Sequence, residues 1–189
     1  MGVLAGLALS VAVGFRVFVP LLLTGAAARL GYLELTTDMA WLGSDAALVA
    51  LATATVIEVS AYYVPWLDNL LDTVATPTAI LAGVLAWAAV TPELAPLLRW
   101  TLAVIAGGGA AALVQSGTAL ARLHSSAFTA GLGNPVVATG ELAGSVSLSV
   151  LAVLAPVLAG VLVVLVLVGL SGFYRRATSR RNAAPYSKP

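Results

Sequence analysis

The sequence predicts an all-α fold: a polytopic membrane helical bundle of about five crossings with broken or re-entrant segments. Three observations carry this. Of 189 residues 60% are hydrophobic and 9% charged, and the mean hydropathy is +1.02, outside the soluble globular range. The apolar blocks approach the ~20 residues that cross a bilayer core as a helix. Ionisable residues are nearly excluded from those blocks, and the few that remain are conspicuous.

The blocks run over residues 3–28, 46–64, 74–91, 97–116 and 143–170. The first carries Gly14, Arg16 and Pro20 in its middle, so it is expected to kink or split into two half-helices. No basic flank precedes it and no small-residue cleavage site follows, so it reads as a retained span. In the third block Thr76 suits a helix N-cap and Pro77 the first helical position. A helix from Pro77 to Val90 would reach only about 21 Å at 1.5 Å per residue, so Asp68–Ala75 must extend it or form a re-entrant piece. Thr91–Pro96 reads as a tight turn that makes the third and fourth spans an antiparallel hairpin. Gly131, Gly133, Asn134 and Pro135 break the chain before the last span. Residues 117–140 are too polar for lipid and too apolar for a free loop, which predicts a segment dipping into the protein interior.

Residues 1–174 form the membrane domain in this reading. Residues 175–189 form a basic, disordered tail holding Arg175, Arg176, Arg180, Arg181 and Lys188, five of the nine basic residues. The positive-inside rule puts that tail in the cytoplasm, and with five crossings the N-terminus outside. Arg29 and Arg99 then fall at cytoplasmic ends, with Arg122 the exception. A weak internal symmetry, Arg16 with Glu58 against Arg122 with Glu141, is consistent with an inverted repeat.

An ionised side chain in hydrocarbon costs at least roughly 2.5–3.5 kcal/mol, so it needs a partner, a water-filled cavity or a role. Glu58 lies a dozen residues into its span with Tyr62 one turn on. It reads as a structural partner of Arg16 or Arg122, as a proton-linked transport group, or as a lipid-facing side chain that snorkels to the interface. Asp68, Asp72 and Thr76 share a face at four-residue steps, where two carboxylates can hold a hard cation or share a proton, or simply lie in water beyond Trp66. Gln115, Thr118, Arg122, Ser125 and Thr129 fall on one helical face, lining either a cavity or a helix–helix contact. His124 points off that stripe and reads as interfacial. Glu141, Ser145 and Ser149 form a matching stripe, with Gly140 and Gly144 beside them for close helix approach. Gly2, Gly6, Ser10 and Gly14 make a small-residue packing face, internal or between protomers.

There is no cysteine and one histidine, which excludes disulfides, thiolate chemistry and multi-His metal centres. No nucleophile elbow, P-loop, H-E-x-x-H or dinucleotide fingerprint is present, so an intramembrane hydrolase has no support; a membrane enzyme acting on lipid, with a head group between Asp68, Asp72 and Arg122, stays a third reading, and neither cofactor nor metal is expected. A net charge of +1 carries no message about nucleic acid.

Gly14-Phe15-Arg16-Val17-Phe18-Val19-Pro20-Leu21-Leu22 resembles the opening of domain-of-unknown-function family 4126. Glu58 with Val64-Pro65-Trp66-Leu67-Asp68-Asn69-Leu70-Leu71-Asp72-Thr73-Val74-Ala75-Thr76-Pro77 resembles its central signature. Gly133-Asn134-Pro135 followed by Glu141 is similar to a third block. The resemblance reaches to about Pro156, and the Arg-rich tail departs from it. It implies a multi-span protein of the bacterial inner membrane and fixes class, not activity. The matched polar positions are Arg16, Glu58, Asp68, Asp72, Asn134 and Glu141. The functional expectation is a small transporter or channel for a polar or anionic solute, whose pathway uses Arg16, Glu58, Asp68, Asp72, Gln115, Arg122, Asn134 and Glu141. The alternative is a non-catalytic scaffold or assembly subunit that docks through the small-residue face. The expected partners are the lipid bilayer and either further copies of the chain or a larger membrane complex.

Overall fold

Residues 2–29 do not form one helix. In the computed structural model α1 (Gly2–Phe15) and α2 (Phe18–Arg29) are separated by Arg16, whose backbone is extended at φ −145°, ψ 125°. Pro20 accounts for the position of the break. In a continuous helix its ring would meet the carbonyl of Arg16, and it has no N–H to offer that carbonyl; in the first turn of a new helix neither matters. The backbone is described for residues 1–182, and the side chains for all of these except 65–73, 167, 170–171 and 173–182.

The two half-helices enter and leave at the same end of the bundle. Gly2 abuts the Val90 carbonyl, and Gly25 abuts that of Leu42. Thr36 N–H donates to the Ala89 carbonyl at 2.9 Å, and Arg99 meets Asp38 at 2.6 Å. Both outer ends therefore lie beside the 3-10 turn Thr37–Gly43 and the connection between residues 89 and 96. The break lies deep. Gly6 faces Trp87 and Ser10 bonds the Gly83 carbonyl at 2.9 Å, an antiparallel register that carries Arg16 to the level of Pro77, near the middle of the next long helix. The first apolar block is thus a re-entrant pair rather than the crossing expected, and residue 2 and Arg29 share one end.

The remaining helices surround this pair. α3 (Asp45–Ala61) starts at Ser44, whose hydroxyl accepts from Ala47 N–H at 3.2 Å, and runs antiparallel to α2 from the Arg29–Asp45 ion pair down to the break. α4 (Pro65–Ala89) returns. Its first residue is Pro65, and Pro77 sits inside it, so the expected N-cap at Thr76 does not exist: Asp68–Ala75 extends the helix. The Thr91–Pro96 turn forms as expected and leads into α5 (Pro96–Leu102), a π-helical segment Ala103–Gly108 and α6 (Gly109–Thr129), one continuous rod of 34 residues packed along α4.

Ala130 and Gly131, at φ 53° and 87°, turn the chain into α7 (Asn134–Leu154), and Pro156 starts α8 (Pro156–Asn182), which packs back against α1 and α7. Two expectations fail here. Residues 117–140 are helix ends around a short turn, not a dipping segment. The block 143–170 is two helices, because Pro156 cannot donate to the carbonyl of Ala152. α8 stays helical through Asn182, into the segment read as a disordered tail; arginine is a good helix former and is favoured at helix C-termini. Residues 183–189 lie outside those described.

All described secondary structure is helical, with eight α-helices and no strand. Pro96–Thr129 and Asn134–Leu154 are each long and apolar enough to cross a membrane; Thr37–Ala61, bent by 63°, makes a third if taken as one span. Together with the shorter apolar helices they form an apolar bundle, as a membrane protein requires.

The core is built of small residues at helix crossings. A Cβ on Gly83 would lie 2.6 Å from that of Ala111 and 2.8 Å from the Gly107 carbonyl, so α4 and the π segment meet backbone to backbone. Gly14 is as tight against Val114. The small-residue face of α1 is therefore internal. Gly140 and Gly144 do not serve the close approach expected of them: a Cβ on Gly140 meets nothing within 4 Å, and one on Gly144 meets Phe15 at 3.8 Å.

Gly83→Val should cost about 1–3 kcal/mol by overpacking, read as a lower unfolding temperature in detergent, while Gly140→Ala should be neutral or slightly stabilising. Because the chain has no cysteine, single cysteines report topology directly. Cysteines placed before Met1, at Gly31 and at Glu93 should all react with an impermeant maleimide from one side of the membrane, and one at Leu132 from the other. A first segment that crosses would separate the label before Met1 from Gly31.

Candidate functional site

The break between α1 and α2 leaves the backbone N–H groups of Val17 and Phe18 without helical acceptors. No Ser, Thr, Asp or Asn caps α2 locally. The cap comes from α3: Glu58 Oε1 accepts from Val17 N–H at 2.7 Å and Oε2 from Phe18 N–H at 3.1 Å. A carboxylate at the positive end of a helix is favourable, and here each oxygen takes one of two successive donors. Glu58 forms no ion pair within 4 Å of either arginine, so the direct pairing considered for it is replaced by this remote cap.

Arg16, at the break itself, is 1% exposed. Its Nη2 donates to the Ala138 carbonyl at 2.8 Å and lies 3.3 Å from Glu141 Oε2, both on α7. Its Nε and Nη1 are buried and have no protein partner. Arg122 on α6 reaches the same carboxylate, with Nη1 at 2.6 Å from Oε1 and bonded to Oε2 as well. Glu141 is thus shared by two guanidinium groups. Tyr62, one turn beyond Glu58, joins the cluster: the Cζ atoms of Arg16 and Arg122 lie 4.0 and 4.7 Å from its ring centroid, close enough for cation–π attraction.

Four of the sequence-predicted residues therefore converge, Arg16, Glu58, Arg122 and Glu141, from four different elements at mid-depth. All are at most 7% exposed. Gln115 and Asn134 are buried but stand apart, each seven residues from Arg122 or Glu141 and so about 10 Å along the helix. Gln115 Nε2 has no protein partner, and Asn134 Nδ2 bonds Ser126 Oγ at 3.0 Å, bracing the α6–α7 turn. The side chains of Asp68 and Asp72 lie outside the described residues. Among the described residues no three His, Cys, Asp or Glu side chains come together as a metal site.

The polar stripe on α6 divides by depth. Gln115, Thr118 and Arg122 are buried, while Thr129 accepts from Gly133 N–H at 2.9 Å and closes the turn. On α7, Ser145 ties the helix to α1 through the Ala12 carbonyl at 3.0 Å. His124 is exposed and bonds the Leu120 carbonyl of its own helix.

Sequence reasoning missed the backbone donors of Val17 and Phe18, the Ala138 carbonyl and the role of Tyr62. One signal was present: a helix start at Val17 with no capping residue implies a cap from elsewhere, and Glu58 is a carboxylate otherwise unexplained in an apolar run.

Removing the shared carboxylate by Glu141→Gln should destabilise the fold by about 3–5 kcal/mol, since it takes away the buried anion that Arg16 and Arg122 both contact. The double variant Arg122→Leu/Glu141→Leu should lose less than the sum of its single changes, by about 0.5–3 kcal/mol. Thermal unfolding in one detergent measures both, and strict additivity would refute the coupling.

No curated protein and no solved structure matches the chain. The match to a known group is at the level of sequence family, and it takes in every residue of the cluster: over residues 3–176 the chain belongs to the family described as domain of unknown function (DUF4126).

Proposed function

We propose that the protein is a small membrane transporter for a polar, anionic solute, with the charge cluster at the α1–α2 break as its binding site. The observation that carries this reading is Arg16: a guanidinium at the tip of a re-entrant helix pair, 1% exposed, with two donor groups uncommitted to the protein. Buried donors are normally paired, and a cation retained at this depth is expensive unless it serves something. Discontinuous helices whose N-terminal ends point at an anionic group are a recurring way to build a solute site at the bilayer midplane.

The packing suggests how such a site opens. α1 packs on α4, α6, α7 and α8, whereas α2 packs on α3, α7 and the 3-10 turn. Arg16 and Val17 join α1 to α2. A rocking of α2–α3 against the rest would separate Glu58 and Tyr62 from Arg122 and Glu141 and uncover Arg16. The scaffold reading loses its docking surface, because Gly6, Ser10 and Gly14 are spent on contacts with Trp87, Gly83 and Val114.

Arg16→Gln should reduce anion flux into proteoliposomes by at least an order of magnitude while leaving the protein monodisperse, and Arg16→Lys should keep part of the flux. Full flux in Arg16→Gln would overturn the assignment.

A further inference from the structure

The link from α3 to α4, Tyr62–Val64, lies against the charge cluster. The Tyr62 ring stacks on both guanidinium groups, with the Cζ atoms of Arg16 and Arg122 4.0 and 4.7 Å from its centroid. Tyr62 is buried, but Tyr63 beside it is exposed, and its hydroxyl lies 2.9 Å from Thr139 Oγ1 on α7. Chemistry fixes the direction of that bond. Thr139 has one hydroxyl hydrogen and gives it to the Pro135 carbonyl at 2.7 Å, so the Tyr63 O–H is the donor. On α7 the preceding residue, Ala138, is buried, and its carbonyl accepts from Arg16 Nη2 at 2.8 Å. On both elements, then, the residue that touches Arg16 and the residue in the outer hydrogen bond are consecutive.

The backbone of the link is held by its own turn. The N–H groups of Tyr62, Tyr63 and Val64 donate to the carbonyls of Glu58, Ser60 and Ala61 at 3.3, 3.2 and 3.1 Å, at the long end of the normal range. Val64 is extended at φ −108°, ψ 109°, the conformation favoured before a proline, and Pro65 brings no N–H of its own. α7 packs on α1, α2, α6 and α8, and α3 on α2, the 3-10 turn and α4. Tyr63 therefore reaches Thr139 across a seam and not along a packed helix face. A Cβ on Gly140 meets nothing within 4 Å, so the α7 surface next to Thr139 leaves room for the Tyr63 ring to move aside.

We propose that the Tyr63–Thr139 hydrogen bond is the latch of the charge cluster: it pins the Tyr62–Val64 link to α7 with the Tyr62 ring over Arg16, and it parts when the cluster opens between α3 and α7. This names the gate of the site assigned above and rests on that transport reading for its physiological meaning. A rocking of α2–α3 draws α3 away from α7, and the latch lies across that seam. Parting it breaks one hydrogen bond between neutral groups, while the Thr139 hydrogen stays on the Pro135 carbonyl. Interhelical hydrogen bonds of this kind shift an equilibrium by roughly three- to tenfold in a membrane, enough to bias a gate without locking it.

Amide hydrogen exchange of the full chain in nanodiscs reads the latch without a transport assay. Thr139→Val removes the acceptor and leaves the sequence of the link untouched; Tyr63→Phe removes the donor. Each should speed exchange at residues 62–64 by roughly three- to tenfold, and the double variant should go no further than either single change. In a chain with no native cysteine, Ala138→Cys then reports whether the parted latch uncovers the cluster. Its thiol should react with a small methanethiosulfonate faster by a similar factor once Thr139→Val is added. Unchanged exchange in both variants, effects that multiply in the double variant, or faster exchange with the Ala138→Cys thiol still protected overturns the proposal. The exchange result decides the matter if Ala138→Cys fails to fold. Nitrate flux is read separately in proteoliposomes. Faster exchange and thiol reaction with no nitrate flux above empty vesicles would sink the transport reading and leave the latch standing. Nitrate flux in the wild type with exchange unmoved by either variant would do the reverse.

Discussion

Everything at mid-depth follows from one requirement: a helix interrupted in an apolar medium must find partners for the backbone groups it frees. The interruption after Phe15 exposes donors that no neighbouring side chain can reach. Glu58 supplies acceptors from another helix. Its charge makes nearby cations favourable, which Arg16 and Arg122 provide; those cations in turn hold Glu141, and Glu141 sits on α7. One backbone discontinuity thus fixes the mutual placement of α1, α2, α3, α6 and α7 through a continuous set of hydrogen bonds and ion pairs.

The small residues make this arrangement possible. Long, charged side chains occupy volume at the break, and α1 can carry Arg16 to that depth because Gly6, Ser10 and Gly14 let it lie close to α4 and α6. The π segment serves the same end. Widening the helical turn over Ala103–Gly108 brings Gly107 onto Gly83, while the rod continues into α6 with Gln115, Thr118 and Arg122 turned inward. Tight packing above and a polar cluster below are thus two parts of one helix arrangement.

The helical class and the split of the first block were legible because hydropathy and Pro20 report directly on local structure. The turn at Thr91–Pro96 and the inward face of Arg122 were legible for the same reason. What sequence could not give was direction. A broken apolar block reads alike whether its halves continue across the bilayer or fold back, since composition and length are identical in both; the distinction is made by contacts such as Gly2 with Val90 and Gly25 with Leu42. Pro77 misled because proline at a helix start and proline inside a long apolar helix have the same local surroundings. Arg122 with Glu141 was hard to assign because several acid–base pairings were open, and a pairing across helices depends on register that no local pattern records.

The re-entrant pair has a consequence for how the protein comes to exist. Its residues leave the ribosome ahead of the groups that neutralise its break, Glu58 and Glu141, which are translated about 40 and 125 residues later. Until α3 has been made, α1 and α2 hold a buried arginine and unpaired peptide groups that the bilayer does not solvate. The pair is therefore made before it is able to settle, and it must wait at the interface or against the insertion machinery until its partners arrive. Order of assembly, in this chain, runs against order of synthesis.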